Sequence, residues 1–266
     1  MNPRSPLLVC LFAITIAVQA LLLFGCDDDS YRFGRGQHRL ERIQEKGKLV
    51  VLTRNAPTTY YIDREGKPSG PEYELVEAFA DFIGVTAEYK IKHTINDILT
   101  GLKNGKADLA AAGLTITPER KKDFRFGPPY QEITPQVITR RDRLRPESIA
   151  ELVGLNLKVI ANSSYTERLQ NLKETKYPKL SWIESDYQDT EQLLRAVWAK
   201  KIDCTIADSN IVDINRRYYP ELIAPINLGR AQQLGWAMPE DSKHLEAAIA
   251  QWLEKFRKNG HLAQLH

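Results

Sequence analysis

Cysteine is scarce in this chain, with 3 in 266 residues. Cys10 lies in an apolar N-terminal run, Cys26 just beyond it, and only Cys204 falls among segments that read as folded. No internal disulfide can therefore staple the folded part, and its stability must come from a core. Cys204 sits in Ile202-Asp203-Cys204-Thr205-Ile206, which reads as a buried strand carrying an inert thiol. The five histidines, at 38, 93, 244, 261 and 266, have neither metal-ligand spacing nor a nucleophile to serve, so no metal and no cofactor is expected. No glycine-rich phosphate loop occurs. Charge of one sign does not accumulate either: 37 Lys and Arg against 34 Asp and Glu leave a net +3 without a basic block, which makes no case for a nucleic-acid partner.

One long apolar run is present. From Pro6 to Phe24 there is no charge, and Arg4 with the free amine forms a short basic lead. Residues 1–26 read as an export signal, and Gly25-Cys26 resembles a lipoprotein processing site at which Cys26 would be lipidated. Phe24 is bulkier than the small residue usual there, and the run is long enough to span a bilayer, so lipid anchor, simple cleavage and retained helix stay open. Residues 27–39, polar and glycine-containing, read as a flexible tether.

Beyond the tether, strands and helices alternate. Leu40-Glu41-Arg42-Ile43 is spaced as a short helix and Lys48 to Leu52 as a strand. Helical spacing from Tyr73 to Ile83 stops at Gly84, a natural C-terminal cap. Strands are expected at Val85–Ile91, Ala107–Ala112 and Gln136–Thr139, and a helix at Asn96–Leu102. A second set follows, with strands at Leu157–Ala161, Leu180–Ile183 and Ile202–Ala207. Its helices are expected at Tyr165–Leu172, Thr190–Ala199 and Asn210–Tyr218. Two short strands within 222–237 and an amphipathic helix at Leu245–Phe256 complete the chain. This alternation predicts an α/β fold with mostly parallel sheets, and its occurrence twice predicts two lobes.

In open α/β sheets, ligands bind where strand ends meet helix N-termini. Three such junctions carry chemistry. The first runs from Ala111 through Gly113, Thr115 and Thr117 to Pro118, Glu119 and Arg120; its guanidinium fork suits a carboxylate, against the alternative of a capped helix with Arg120 facing water. In the second, Asn162-Ser163-Ser164 opens a helix whose N–H groups could hold an anion or simply be capped. The third places Asp208 beyond a strand, where it could receive an ammonium or cap the helix near Asn210.

Together these stretches resemble the polar amino-acid-binding family of periplasmic solute-binding proteins. The likeness includes Gly47-Lys48-Leu49-Val50-Val51, the segment 66–75 before the first long helix, 102–108 and 124–130. It implies a periplasmic-binding-protein-like (type II) clamshell, with lobe 1 formed by 40–136 plus 229–266 and lobe 2 by 137–228. It also implies that Arg120 and Thr115, helped by Ser163 and Ser164, hold a ligand α-carboxylate while Asp208 takes the α-amine. Gly113 stands where a serine is common, and Arg54-Asn55-Ala56 replaces an acidic and aromatic pair, so the side-chain pocket should differ.

Finer details, among them Leu40 to Gln44, Pro57-Thr58-Thr59-Tyr60-Tyr61 and Gly235-Trp236-Ala237, are similar to the N-terminal regulatory domain of membrane-bound lytic murein transglycosylases. That likeness implies a periplasmic, membrane-associated protein at the outer membrane. It implies a muropeptide or amino-acid ligand, and contact with peptidoglycan through a C-terminal catalytic domain absent from this chain. Glu147-Ser148 and Glu184-Ser185 mimic the Glu-Ser dipeptide of such enzymes, but neither has the flanking segment, and no catalytic residue is assigned here. A stand-alone amino-acid receptor for a membrane transporter is the other reading.

Overall fold

The computed structural model describes residues 39–186, 189–260 and 262. The signal at 1–26, lipidation at Cys26 and the tether up to 38 lie outside the described residues. Arg39, expected at the end of the tether, instead opens helix α1 (Arg39–Lys46). Its guanidinium is held by Asp108 at 3.2 Å and Asp241 at 2.9 Å, which gives the helix a fixed start.

The first lobe continues through β1 (Lys48–Thr53), the small hairpin β2 (Tyr61–Ile62) and β3 (Pro68–Ser69), α2 (Pro71–Ile83), β4 (Thr86–Ile91), α3 (Ile95–Lys103), β5 (Leu109–Ala110), β6 (Phe124–Phe126) and β7 (Gln131–Ile133). The second contains β8 (Pro135–Arg140), β9 (Lys158–Ile160), α4 (Ser164–Thr175), β10 (Ile183–Ser185), α5 (Thr190–Trp198), β11 (Thr205–Asp208), α6 (Ser209–Asn215) and β12 (Leu222–Asn227). The chain then returns to the first lobe through β13 (Gln232–Leu234), β14 (Ala237–Pro239) and α7 (Lys243–Lys258).

Local sequence explains where these elements start and stop. Pro71 opens α2, where its missing N–H costs nothing. Gly84 closes the helix at φ 75°, its N–H returning to the carbonyls of Ala80 and Asp81. The strand expected at Leu180–Ile183 lies further on, at Ile183–Ser185; Leu180 is buried, but pairing with β9 begins only at Ile183. Helix α6 stops at Asn215 rather than Tyr218.

Sheet order in lobe 1 is β4-β1-β5-β14-β6. Strands joined through helices, β4-β1-β5 and β10-β9, are parallel as expected. The strands at and after the lobe crossings (β8, β12, β13 and β14) pair antiparallel, so the five-stranded sheet of lobe 1 is mixed, while lobe 2 has a parallel pair β10-β9 and an antiparallel sheet β11-β8-β12. Side chains alternate across β1. Val51 joins Leu75, Phe79, Met238 and Trp252 on one face, while Leu52 joins Ile98, Leu102 and Phe124 on the other. Lobe 2 has its own core of Val137, Leu157, Val159, Leu169, Cys204 and Ile206. Burial pushes the Cys204 thiol up to about 12, in keeping with an inert packed group.

Two neighbouring segments carry the chain between lobes. β7 pairs antiparallel with β13 through Gln131↔Leu234, Glu132↔Gln233 and Ile133↔Gln232, and the Leu228 N–H donates to the Pro135 carbonyl at 2.8 Å. Away from these crossings, Ile95 packs against lobe 2 residues Ile160, Leu193 and Val197. The lobes are thus closed on one another.

Phe79 is fully buried against the stacked rings of Trp236 and Trp252, with centroids 5.8 and 5.5 Å away. Phe79→Ala should lower unfolding free energy by about 3–5 kcal/mol in a urea titration. Gly70→Ala should also destabilise, because an added Cβ at φ 126° would stand 2.3 Å from the Thr59 carbonyl oxygen. A loss below about 1 kcal/mol for Phe79→Ala would mean that this face is not packed as described.

Candidate functional site

The lobe 1 wall begins where β5 ends. Ala112 leads into Gly113 at φ 65°, whose N–H donates to the Glu72 carboxylate at 2.7 Å. Thr115 then pairs with Leu234, bringing this loop against β13. The expected helix after Pro118 is a single 3-10 turn, Arg120–Lys122, in which Thr117 Oγ1 accepts from the Arg120 N–H at 3.2 Å.

Arg120 does not face water. It is 5% exposed. Nη1 donates to the Thr115 carbonyl at 3.0 Å within its own lobe, and Nη2 to the Asn162 carbonyl at 3.3 Å across the cleft. Nε is buried with no partner. Burial draws the guanidinium down from its ordinary value, while Glu167 and Asp208 nearby favour its charge.

The lobe 2 wall is the start of α4 and the end of β11. Asn162 adopts φ 54° and turns the chain into the helix. Ser163 is the N-cap: its oxygen accepts from the Thr166 N–H at 3.4 Å and its hydroxyl donates to the Ile160 carbonyl at 2.7 Å, so local structure occupies it. Ser164 Oγ instead lies 3.2 Å from Thr115 Oγ1 across the cleft. Asp208 makes no capping bond to α6, contrary to the capping alternative. Its carboxylate is buried and hydrogen-bonded by Tyr165, and Oδ1 has no partner. Burial pushes it up to about 6, against Tyr165, Arg54 and Arg120, which pull it down.

All six residues singled out from sequence (Gly113, Thr115, Arg120, Ser163, Ser164 and Asp208) line one cavity between the lobes. It encloses about 20 Å³, room for roughly one water, so any larger guest requires the lobes to part. Arg54, Thr190 and Tyr165 share the lining. Arg54 Nε and Thr190 Oγ1 are buried without partners. Native proteins leave few buried polar atoms unpaired, and four converge here. In the sequence, Arg54 stands out only as a departure from the family pattern, and the one signal for Thr190 is its place at the start of α5. Toward the mouth, a groove of about 740 Å³ runs between Asn55, Tyr61 and Glu74 of lobe 1 and Glu191, Arg217 and Tyr218 of lobe 2. Both Glu191 carboxylate oxygens are buried without partners, and burial raises that group against the pull of Arg54.

Behind the cavity sits Glu72, 2% exposed, joined to the Gly113 N–H and to the Tyr130 hydroxyl just before β7. Burial pushes its carboxyl up to about 7, opposed by Tyr130, Gly113 and Arg54. The Glu-Ser dipeptides lie elsewhere: Ser148 donates to Glu151, and Glu184 accepts from the Trp182 indole, both pairs away from the cleft. Among the described residues, no group of three or more His, Cys, Asp or Glu is placed to hold a metal ion, and no helix is long and apolar enough to cross a membrane.

Comparison with known proteins places this geometry. The profile of bacterial extracellular solute-binding proteins, family 3, matches residues 48–266. Membrane-bound lytic murein transglycosylase F 2 of Alkalilimnicola ehrlichii is 44% identical over 242 residues, 91% of this chain and 52% of that protein. Membrane-bound lytic murein transglycosylase F of Pseudomonas fluorescens is 42% identical over 228 residues, 85% of this chain and 46% of that protein. The chain thus spans about half the length of the curated relatives it matches. Among solved structures, a mutant of the arginine-binding protein ArgBP from T. maritima superposes with a TM-score of 0.75 at 23% identity, over 85% of this chain and 96% of that one. The amino acid ABC transporter substrate-binding protein AbpA from Streptococcus pneumoniae, bound to L-arginine, gives 0.74 at 26% identity, over 85% and 95%.

The raised carboxyls set the pH response. Folded Glu72 keeps its proton up to about 7 and folded Asp208 to about 6, whereas unfolded they release it near 4.5 and 3.8. Between those values the native state binds more protons than the unfolded one, so stability is greatest at the acidic end and falls as pH rises to 7. The Glu72 share is about 3 kcal/mol. Urea midpoints at pH 5 and pH 8 should differ in that direction, and Glu72→Gln should remove most of the difference. Parallel losses in wild type and variant would assign the titration to another group.

Proposed function

This chain belongs to the bacterial extracellular solute-binding proteins, family 3, and from that premise we propose that its cleft senses a cell-wall peptide, or an amino-acid carboxylate derived from one, on behalf of a peptidoglycan lytic transglycosylase. The observation that carries the reading is the convergence of Arg120, Thr115, Ser164 and Asp208 on one cavity, with Arg120 Nε and Asp208 Oδ1 unpaired. A ligand carboxylate supplies charge-assisted acceptors for the guanidinium, and a ligand ammonium completes Asp208. Thr115 and Ser164 come from opposite lobes, so a ligand touching both binds the closed state more tightly than the open one. That difference shifts the population toward closure.

The moving bodies in this proposal are 40–136 with 229–266, and 137–228. The role in a transglycosylase is supported by the relatives, membrane-bound lytic murein transglycosylases F that match most of this chain over about half of their own length. The full-length protein would then cleave murein glycan strands in the periplasm at the outer membrane, held there by its N-terminal segment. The likeness in fold to an ABC transporter binding protein supports a second reading, an amino-acid receptor that serves transport.

Calorimetry with a purified muropeptide tests the cleft. Arg120→Ala should weaken binding by about ten- to a hundredfold, the equivalent of a charged hydrogen bond at 1.5–3 kcal/mol. Unchanged affinity would remove Arg120 from the site. Incubating murein sacculi with the complete gene product separates the two readings. Release of soluble anhydro-muropeptides that responds to Arg120→Ala supports the sensor, whereas absence of release favours transport.

A further inference from the structure

The inner cavity holds more positive charge than a simple zwitterion needs. Arg120 and Arg54 both line it, and Asp208 is the one carboxylate that does. A neutral amino acid brings one carboxylate for Arg120 and one ammonium for Asp208, and no group for Arg54. Glu191, Asp208 and Glu72 all feel the Arg54 charge, but Glu191 borders the outer groove and neither of its oxygens hydrogen-bonds to the guanidinium.

Arg54 follows directly on β1 and lines the cavity beside Gly113. Its Nη2 lies 3.4 Å from where a Cβ on Gly113 would stand, so the guanidinium packs directly over this turn. Its Nε is buried without a partner. A carboxylate is the group that best completes such a half-buried guanidinium, through two parallel hydrogen bonds.

Resting on the cleft reading above, we infer that Arg54 is the specificity residue for an acidic ligand side chain. The cleft takes an amino acid with a second carboxylate, free or at the end of a peptide. Arg54 and Arg120 both belong to lobe 1, whereas Asp208 and Ser164 belong to lobe 2. An acidic ligand therefore docks first on two guanidinium groups of the open lobe 1, and lobe 2 then closes over its ammonium.

Titration calorimetry on the purified protein with L- and D-glutamate and their amides, L- and D-glutamine, tests this, since each pair differs in charge and hardly in size. In at least one of the two configurations, the acid should bind at least about tenfold more tightly than its amide. Arg54→Ala should bring that ratio down toward one, and Arg54→Lys, which keeps the charge but loses the fork, should fall between. Amides binding wild type as tightly as acids, neither acid binding at all, or a ratio unmoved by Arg54→Ala would each overturn the inference. The wild-type comparison decides even if a variant folds poorly. Loss of every probe in Arg120→Ala without an acid preference in wild type would leave the cleft reading standing and remove only the role of Arg54.

Discussion

A buried guanidinium is the constraint around which the cleft is arranged. Removing Arg120 from water forfeits strong hydration, and that loss is tolerable only where fixed acceptors replace it. The structure provides one acceptor from each lobe, the Thr115 and Asn162 carbonyls, and leaves Nε without any. Much of the surrounding geometry serves those acceptors. The 3-10 turn aims the side chain back over its own loop, the pairing of Thr115 with Leu234 fixes one carbonyl, and the left-handed Asn162 presents the other. Closure of the lobes and solvation of Arg120 are therefore one problem with one solution.

A second buried charge site stands behind the first. Glu72 links the Gly113 loop, which lines the cavity, to Tyr130, which immediately precedes the crossing strand β7. The cavity loop and the crossing are thereby fastened to the same carboxyl on α2, a stiff element packed into the lobe 1 core. Displacement of Gly113 strains a hydrogen bond whose other end sits beside the axis of closure. The placement of a costly buried acid at this junction is consistent with a need for rigidity there.

Most of the fold was legible because its cues are local. The apolar spacing of α2 with Pro71 and Gly84 at its ends, the alternation along β1 and the small polar start of α4 are each written in one short, continuous stretch of sequence. The six cleft residues were legible for a related reason, since each lies where a strand gives way to a turn or helix. What escaped was set by tertiary placement. Nothing in the immediate neighbourhood of Asp208 distinguishes a cap from a cavity carboxylate; the difference is the Tyr165 hydroxyl, more than forty positions away in sequence. Glu72 reads as an ordinary acid in the first turn of a helix, and its burial depends on Gly113 and Tyr130 arriving from elsewhere. The shift of the strand near Leu180 has the same origin, since β9 chooses its partner residues across space.

The two crossings run side by side, and α1 and α7 both pack on lobe 1, with Arg39 at the start of α1 tied to Asp241 just ahead of α7. Adjacent connections restrict relative motion to swinging about a single line, as two hinges on one edge restrict a door. In the proposed sensor, whatever is joined to the chain through either terminal helix travels with lobe 1 and experiences no displacement when lobe 2 swings. Under that proposal, news of an occupied cleft would reach such a neighbour only by touch, through the outer surface of lobe 2 pressing on it or withdrawing from it, and not by tension along the backbone.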